Sequence, residues 1–326
     1  MKKIAILFLL IIISCKQETK PVNNFTTGEV FGTYYNIQFF DDKELDYSKQ
    51  YDSLFSEVNK SMSTYITTSD ISKINKGDTT IVIDHHFKKV FEVSKEIYKE
   101  TNGFFDPTIG VLVNAWDFGP EREIVSLDSL KIDSLMQSVG FKNLMILGGK
   151  INNPKNAFID FNAIGKGYGL DVVSEFLNRK GHQNYLIDIG GEIVAKGINV
   201  NSSTFWRVGI EEPNYDGTQS HKKVVELESA AMATSGVYRK FKVDVNGAKY
   251  SHIINAKTGY PSKTNILSVS VIASTCTIAD AYATAFKAMG IEKVTELLKT
   301  HPELKVYFIY EDKNRDIKTL SLNSFP

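Results

Sequence analysis

Cysteine is scarce in this 326-residue chain, which contains only Cys15 and Cys276. Two cysteines cannot build the disulfide framework that holds many small secreted domains together. Net charge is absent as well, since 38 basic side chains balance 38 acidic ones, and this balance gives no indication of a nucleic-acid-binding surface. Hydrophobic residues make up 42% of the chain, which is the composition of a globular protein rather than a disordered one.

Several motifs of common enzyme classes are also missing. The chain has no H-x-x-x-H, C-x-x-C or G-x-S-x-G motif, so zinc hydrolases and serine hydrolases lack support. It has neither the G-x-x-x-x-G-K-[ST] loop nor the G-x-G-x-x-G motif of nucleotide-binding folds. Internal repeats, low-complexity segments and coiled-coil heptads are absent from the sequence too. The function therefore has to be read from individual residues.

The first fifteen residues form a segment of their own. Lys2 and Lys3 precede an unbroken apolar run over residues 4–13, which is typical of an export signal and too short to span a membrane stably. Cys15 follows the small residue Ser14, as in the lipobox of bacterial lipoproteins. An ordinary signal peptide with an incidental cysteine is the alternative. We expect an exported protein, anchored to the membrane by an acylated Cys15 and facing the periplasm or the cell exterior.

This interpretation divides the chain into three parts. Residues 1–14 are the predicted signal peptide, residues 15–28 the acylated cysteine with a polar tether, and residues 29–326 the folded domain. Within the domain, Cys276 lies in an apolar segment and has no partner cysteine, so we expect a buried small hydrophobic side chain there.

The spacing of apolar residues predicts short strands and amphipathic helices. Strands are predicted at residues 31–40, 81–83, 185–189, 193–195, 206–210, 224–227, 266–273 and 305–310. Helices are predicted at residues 47–61, 87–100, 128–139, 277–289 and 292–300. A polar break is predicted at residues 232–239, a hairpin at 244–247 and a loop at 250–262. Strands outnumber βαβ units, so the predicted fold class is α+β, with antiparallel sheets and flanking helices around a cleft.

Residues 158–171, FIDFNAIGKGYGLD, combine a short apolar strand, a carboxylate and a lysine between glycines. Asp160 ends the predicted strand, a turn contains Lys166, and an amphipathic helix follows. Free backbone N–H groups at a helix N-terminus, together with the charge of Lys166, would suit an anion. The alternative is a turn that only joins a strand to a helix.

Residues 104–120, FFDPTIGVLVNAWDFGP, are too irregular in pattern for a plain helix. Because Asp106 precedes Pro107, we expect an extended backbone at Asp106 and a side chain that is free to reach a ligand. An Asx-type turn on a buried loop is the alternative for the same residues.

The segment TIADAYATAF carries Asp280 and Thr284 four residues apart, hence on one face of the predicted helix. A carboxylate and a hydroxyl are hard oxygen ligands of the kind that Mg²⁺ binds. The alternatives are a helix cap for Asp280 and a hydroxyl bonded back to its own helix for Thr284. His252, in the predicted loop, is either a catalytic base or a hydrogen-bonded loop histidine.

Seven segments, taken in order, resemble the motifs of one family. They are MSTY (62–65), FFDPTIGVLVNAWDFGP (104–120), IDFNAIGKGYGLD (159–171), IDIGGEI (187–193), ATSGVYR (233–239), SHIINAKTGYP (251–261) and ADAYATAF (279–286). From about residue 29 to the C-terminus the chain resembles the ApbE family, the FAD:protein FMN transferases, which are often exported lipoproteins. The resemblance implies an ApbE-like, T-fold-related α+β fold around a cleft for FAD and Mg²⁺.

The resemblance also implies roles for individual residues. Positions that match FAD contacts of the family are Phe31, Tyr65, Asp106, Pro107, Thr108, Asp160, Lys166 and Ile254. Positions that match the Mg²⁺ ligands are Asp280, Thr284 and the backbone carbonyls of Ala163 and Ala283. His252 matches a histidine that is important for transfer. The chain departs from the family in two places, because Phe31 replaces the usual Met and Asn255-Ala256 replaces the usual Asp-Pro.

The activity implied by the resemblance is the Mg²⁺-dependent transfer of FMN from FAD to a threonine hydroxyl of a client protein, with AMP as the leaving group. The implied clients are flavoprotein subunits of membrane redox complexes with a Ser/Thr-Gly-Ala-Thr-like acceptor. An FAD pyrophosphatase, with water as nucleophile at the same metal site, is one alternative. A non-enzymatic FAD-storing lipoprotein is another, but storage would not need the Asp280 and Thr284 pair.

Overall fold

The computed structural model describes residues 21–121, 127–214, 220–236, 241–243 and 249–326. The predicted signal peptide, Cys15 and the predicted hairpin at residues 244–247 lie outside the described residues. The strands are β1 Val22–Val30, β2 Thr33–Asp41, β3 Met145–Leu147, β4 Lys150–Asn152, β5 Tyr185–Ile189, β6 Glu192–Lys196, β7 Ile198–Asn199, β8 Thr204–Glu211, β9 His221–Leu227, β10 Ala231–Gly236, β11 Phe241–Val243, β12 Lys249–Ser251, β13 Ile266–Ala273, β14 Lys305–Glu311 and β15 Ile317–Leu322. The helices are α1 Ser48–Met62, α2 Asp70–Asn75, α3 His85–Glu100, α4 Gly110–Ala115, α5 Ser129–Met136, α6 Gly165–Arg179, α7 Cys276–Met289 and α8 Ile291–Leu297. Each helix in these described ranges is too short or too polar to cross a bilayer.

Eight strands form one antiparallel sheet in the order β1-β2-β5-β6-β10-β13-β14-β15. Helices α1, α6 and α7 pack on one face of this sheet, and α3 lies against α7. The small sheet β7-β8-β9 covers part of the opposite face. Every residue of β13 is buried, as expected for a strand that is covered on both faces. The predicted α+β class, with antiparallel sheets and flanking helices, is confirmed.

Helices α6 and α7 cross at Gly167, where a larger residue would not fit. A Cβ atom added to Gly167 would lie 2.2 Å from the backbone oxygen of Cys276. The carboxylate of Asp171 accepts hydrogen bonds from the backbone N–H groups of Cys276 (2.9 Å) and Thr277 (2.8 Å). Cys276 itself is buried, as predicted. These contacts hold the N-terminal halves of α6 and α7 together, and the candidate site lies at this crossing.

The predicted tether is wrong at its C-terminal end. Strand β1 begins at Val22 and pairs with β2 over its whole length, so the tether does not reach residue 28. The segment looked like a tether because it is polar, but its exposed residues alternate with less exposed ones, as in an edge strand with one face in solvent.

Two further predictions are wrong. Residues 232–236, predicted as a polar break, belong to β10 in the middle of the sheet, where the Thr234 hydroxyl lies 2.7 Å from the hydroxyl of Ser270 on β13. Residues 81–83 are not a strand, although Ile83 donates a backbone hydrogen bond to Gly149 at 2.9 Å. The predicted helices are confirmed as α1, α3, α5, α7 and α8, each within three residues at either end.

Lys287, on the last turn of α7, is a buried cation with one hydrogen bond, from Nζ to the Thr264 hydroxyl at 2.8 Å. Burial lowers the pKa of Lys287 from 10.5 to about 8. Between these two pH values the unfolded chain binds a proton that the folded chain does not, so this contribution to the free energy of unfolding increases with pH. Below pH 8 the folded state carries the full cost of the buried charge.

Lys287→Met is therefore expected to raise the free energy of unfolding at pH 7.5 by up to about 3 kcal/mol. The gain should shrink towards pH 10.5, because the unmodified protein recovers stability over this range. Urea unfolding of both proteins at several pH values measures the difference. Lys305→Met, at an exposed position of β14, is the matched control and should change little. An equal effect of the two substitutions would contradict the prediction.

Candidate functional site

One cleft of about 1370 Å³ lies where the loops after β1 and α3 meet the first turns of α6 and α7. It exceeds the roughly 300–1000 Å³ of most small-molecule pockets. Eleven of the thirteen predicted cleft residues line it, namely Phe31, Tyr65, Asp106, Pro107, Asp160, Ala163, Lys166, His252, Ile254, Asp280 and Thr284. Thr108 and Ala283 do not line it. The fold thus brings together residues that lie more than 250 positions apart in the chain.

Phe31 stands at the cleft in a backbone conformation that few bulky residues adopt. It forms a two-residue turn with Gly32 between β1 and β2, with φ values of 51° and 74°. Left-handed backbone is costly for an aromatic residue and is often found at functional sites. The ring packs edge-on against Phe55 at 5.6 Å and covers Gly169, where an added Cβ would lie 2.4 Å from the ring. This packing fixes the ring at the cleft.

Asp106 and Thr108 form a buried turn, which is the structural alternative named above. Oδ1 of Asp106 accepts from the backbone N–H of Thr108 (2.8 Å) and from its hydroxyl (2.6 Å). The Thr108 hydroxyl also accepts from the backbone N–H of Gly140 at 2.7 Å. Burial raises the pKa of Asp106, although the hydrogen bonds that its carboxylate accepts from Thr108 and Phe141 oppose the shift. Asp106 still lines the cleft. Thr108 is fully buried, holds Asp106 through these hydrogen bonds and does not line the cleft.

Asp160 connects residues 106–108 to residues 158–171. Its backbone N–H donates to the carbonyl of Pro107 at 2.7 Å, and its carboxylate accepts from the backbone N–H of Asn162 at 2.7 Å. The second hydrogen bond turns the chain towards the start of α6. Residues 106–108 and Asp160, which are all predicted to contact FAD, are therefore neighbours in the structure.

Lys166 lies in the first turn of α6, where a positive charge is unfavourable next to the helix dipole. Its Nζ lies 2.5 Å from Oε2 of Glu192, the first residue of β6. The Glu192 side chain is 4% exposed, while that of Lys166 is one-third exposed towards the cleft. Glu192 was missed in the sequence, where the only signal was a carboxylate directly after Gly190-Gly191 and before an apolar strand.

The charges at this point influence one another. Burial alone would lower the pKa of Lys166, but the carboxylates of Glu192 and Asp280 outweigh it and raise this pKa. Burial raises the pKa of Glu192 and also that of Asp280, and the nearby Lys166 opposes both shifts. Lys166 is thus held as a cation, and two buried carboxylates share it as their counter-charge.

Two oxygen atoms of residues that line the cleft with Lys166 receive no hydrogen bond from the described residues. The backbone N–H of Gly167 donates to Oδ2 of Asp280 at 3.0 Å and not to the carbonyl of Ala163, four residues earlier. In the described part of the chain, neither this carbonyl nor the Thr284 hydroxyl has a hydrogen-bond partner. The two alternatives for Asp280 and Thr284 are wrong. The Thr284 hydroxyl is not bonded back to its own helix, and the N-terminal cap of α7 is Thr275 and not Asp280. Ala283 is buried inside α7 and does not line the cleft, and its backbone carbonyl as a ligand stays a prediction.

The oxygens at this point offer few ligands to a metal ion. Among residues 21–121 and the other described ranges, no three His, Cys, Asp or Glu side chains form a metal-binding group. A cation here would be held by the Asp280 carboxylate together with the neutral oxygens of Thr284 and Ala163. Such a set suits Mg²⁺, which is bound through one or two carboxylates and keeps waters or substrate phosphates as its other ligands. The residues present fit a magnesium ion.

His252 enters the cleft from the loop that follows β12. It is half-buried, and its ring lies 6.2 Å from the ring of Phe118. The loop is folded by Asn255, whose side-chain oxygen accepts from the backbone N–H of Lys257 at 2.9 Å. An aspartate would supply the same acceptor oxygen, so Asn255 forms the same turn as an aspartate would, without the negative charge.

The charge of Lys166 and the oxygen donors of the cleft suit an anionic, phosphate-containing ligand. Residues 31–308 match the family model described as the ApbE family, and the chain belongs to this family. It is 34% identical over 307 residues to the FAD:protein FMN transferase of Vibrio cholerae. The aligned region covers 89% of this chain and 88% of that protein. Its identity to the Haemophilus influenzae protein of the same name is 30% over 334 residues, with 95% and 92% coverage.

Solved structures agree with this membership. The flavin transferase ApbE from Vibrio cholerae superimposes with a TM-score of 0.83 at 32% identity, over 94% of this chain and 98% of that one. The Pseudomonas stutzeri flavinyl transferase ApbE in its apo form gives a TM-score of 0.82 at 26% identity, over 92% and 95%. The predicted family is confirmed.

Proposed function

We propose that the protein transfers FMN from FAD to a threonine hydroxyl of a client protein and releases AMP. The observation that carries this proposal is a pair of oxygens, of Ala163 and Thr284, that receive no hydrogen bond from the described residues and line one cleft with Asp280 and Lys166, in a chain of the ApbE family. A pyrophosphate is the part of FAD that needs such a site, since phosphoryl transfer depends on positioning and charge neutralisation.

The reaction forms one bond and breaks one. The hydroxyl oxygen of the client binds the phosphorus nearer the riboflavin, and the bond from this phosphorus to the oxygen of the AMP phosphate breaks. The hydroxyl proton passes to a base, for which His252 in the cleft is the candidate, and AMP leaves with the bonding electron pair. Lys166 lies where its charge would balance the phosphate oxygens.

Mg²⁺ is part of this proposal. Held by Asp280, Thr284 and the carbonyl of Ala163, it would supply positive charge to the phosphate oxygens. The support for it is this set of hard oxygen donors, in which Asp280 supplies a buried carboxylate that lines the cleft.

The direct test is an acceptor assay. The purified protein is mixed with FAD, Mg²⁺ and an acceptor domain containing a Ser-Gly-Ala-Thr segment, and the acceptor is weighed by mass spectrometry. We expect a gain in mass equal to FMN less one water, and no gain when EDTA is present. Release of FMN and AMP with every tested acceptor unmodified would contradict the transferase and favour the pyrophosphatase. Intact FAD held by the protein would favour storage.

Clients of this enzyme would be flavoprotein subunits of membrane redox complexes that carry a Ser/Thr-Gly-Ala-Thr-like segment. The lipid anchor on Cys15 and the position outside the cytoplasm stay predictions from the sequence. Labelling with radioactive palmitate tests them, because incorporation should disappear in a Cys15→Ser variant.

Glu192→Gln is expected to lower kcat about tenfold, since it removes a charged partner worth roughly 1.5–3 kcal/mol from Lys166. The affinity for FAD should change less, because the ammonium of Lys166 remains present and is only held less firmly in its position. Transfer rates at saturating FAD and flavin-fluorescence titrations measure the two quantities. Glu192→Asp keeps the charge on a shorter side chain and should lie between the two proteins. An unchanged kcat in Glu192→Gln would show that the pair does not position Lys166.

A further inference from the structure

Residues 252–262, which we call the histidine loop, form a small closed hairpin at the cleft. The backbone N–H of Asn255 donates to the carbonyl of Tyr260 at 2.8 Å, and that of Ser262 donates to the carbonyl of Ile253 at 2.8 Å. Both hydrogen bonds are internal to the loop. They therefore fix the shape of the histidine loop, while its position over the cleft depends on contacts with other parts of the chain.

One such contact comes from Trp116, the residue that follows α4. Its indole Nε1 donates a hydrogen bond to the backbone carbonyl of Gly259 at 2.8 Å. The two residues are 143 positions apart in the sequence. The bond therefore joins the segment after α4 directly to the histidine loop.

Aromatic packing places the same segment against both ends of the histidine loop. The ring of Trp116 lies 5.6 Å from that of Tyr250, just before the loop, and 6.1 Å from that of Tyr260, near its end. The ring of Phe118 lies 5.8 Å from that of Tyr250 and 6.2 Å from that of His252. Trp116 and Phe118 thus hold the loop from one side.

The apolar packing of the loop is a small cluster beside the main core. Ile254 is buried with Leu112 of α4 and Ile132 of α5, and these three belong to a cluster of their own. Gly259 also lies close to α5, since an added Cβ would be 2.8 Å from a methyl carbon of Ile132. Apolar contacts are not directional, whereas a hydrogen bond is. The bond from Trp116 is therefore suited to set the exact position of the loop.

Trp116 itself does not line the cleft, although His252 and Phe118 do. It is not placed to touch a ligand, so any effect on the reaction would pass through the residues it holds. We propose that Trp116 is a positioning residue, whose indole N–H holds the histidine loop so that His252 meets the hydroxyl of the client. This inference rests on the proposed function for the role of His252, while the hold on the loop can be measured without transfer.

Trp116→Phe keeps an aromatic ring and removes only the N–H. We expect kcat for FMN transfer to fall about tenfold, because a small misplacement of a reacting group is costly, while the Kd for FAD stays within about threefold. Transfer at saturating FAD and flavin-fluorescence titration measure the two quantities. A loss of FAD affinity as large as the loss of kcat would make the loop a binding element and overturn the proposal.

The other tryptophan of the chain, Trp206, provides a matched control. Its Nε1 donates to the carbonyl of Lys196 at 2.9 Å, and it is buried on β8 and does not line the cleft. Trp206→Phe leaves a backbone carbonyl without its donor, as Trp116→Phe does, so both variants should lose stability. Only Trp116→Phe should lower kcat. An unchanged kcat in Trp116→Phe, or an equal loss in both variants, would contradict the positioning role.

A double-variant cycle shows whether Trp116 acts through His252. When Trp116→Phe is added to His252→Ala, the residual transfer rate should change by no more than about twofold, since no imidazole is left to position. A further tenfold loss would place the effect of Trp116 elsewhere and overturn the proposal. This comparison is one that a general loss of stability would not pass.

Carbethoxylation by diethyl pyrocarbonate gives a measurement that needs no transfer. The reagent modifies unprotonated imidazole, and mass spectrometry compares the rate at the half-buried His252 with that at the exposed His85 of the same protein. A loosened loop exposes its histidine more often, so the ratio should rise about threefold or more in Trp116→Phe and stay unchanged in Trp206→Phe. Equal ratios in all three proteins would overturn the proposal. A changed ratio in a protein that transfers no FMN would contradict the proposed function and still support the hold of Trp116 on the loop.

Discussion

Asp280→Ala should lower the rate of Mg²⁺-dependent FMN transfer by ~10³-fold or more, since a catalytic metal supplies several kcal/mol of transition-state stabilisation. Asp280 is the only carboxylate of the donor set, and the neutral oxygens of Thr284 and Ala163 would not hold a divalent cation alone. The substitution also removes the acceptor of the Gly167 backbone N–H at the crossing of α6 and α7. The rate is measured by the mass gain of the acceptor over time.

A second variant separates charge from structure. Asp280→Asn keeps an oxygen for the Gly167 N–H and removes only the negative charge, so it should fold as the unmodified protein does and still lose transfer. Thermal unfolding of both variants provides the comparison. Full activity of Asp280→Asn, or full activity of the unmodified protein in EDTA, would contradict the assignment of the metal site.

The residue pattern alone could predict the carboxylate and the hydroxyl of this site, because a spacing of four places both on one helix face. It could not show that they are available for a ligand. A threonine inside a helix often bonds back to its own backbone, and only the fold shows that Thr284 does not. The carbonyl of Ala163 is harder still to find, because every residue has a carbonyl. This carbonyl becomes available because the Gly167 N–H, which would otherwise donate to it, donates to Asp280 of α7 instead.

Partners that lie far apart in sequence explain the other misses. Glu192 pairs with Lys166 only because the β5–β6 hairpin brings the start of β6 to the first turn of α6. Thr234 looked like part of a polar loop because serine and threonine are common in loops. Its hydroxyl is satisfied by Ser270 on the neighbouring strand, and local sequence carries no sign of that partner.

His252→Ala is expected to slow FMN transfer by about 10²–10⁴-fold, which is the usual contribution of a general base. The threonine hydroxyl is weakly acidic, so its attack on phosphorus depends on a group that takes the proton as the new bond forms. His252 lines the cleft from a loop folded by Asn255, and its ring packs near that of Phe118. This position lets His252 reach a ligand in the cleft.

The kinetics of the variant separate these roles. FAD affinity should stay within about twofold of the unmodified protein, since a base contributes to the transition state and not to ground-state binding. His85→Ala, at an exposed position of α3 outside the cleft, is the control and should transfer at the normal rate. Added imidazole should restore part of the activity of His252→Ala if the missing group is the base. A normal rate at saturating FAD would remove His252 from the mechanism and leave the proton to water or to a phosphate oxygen.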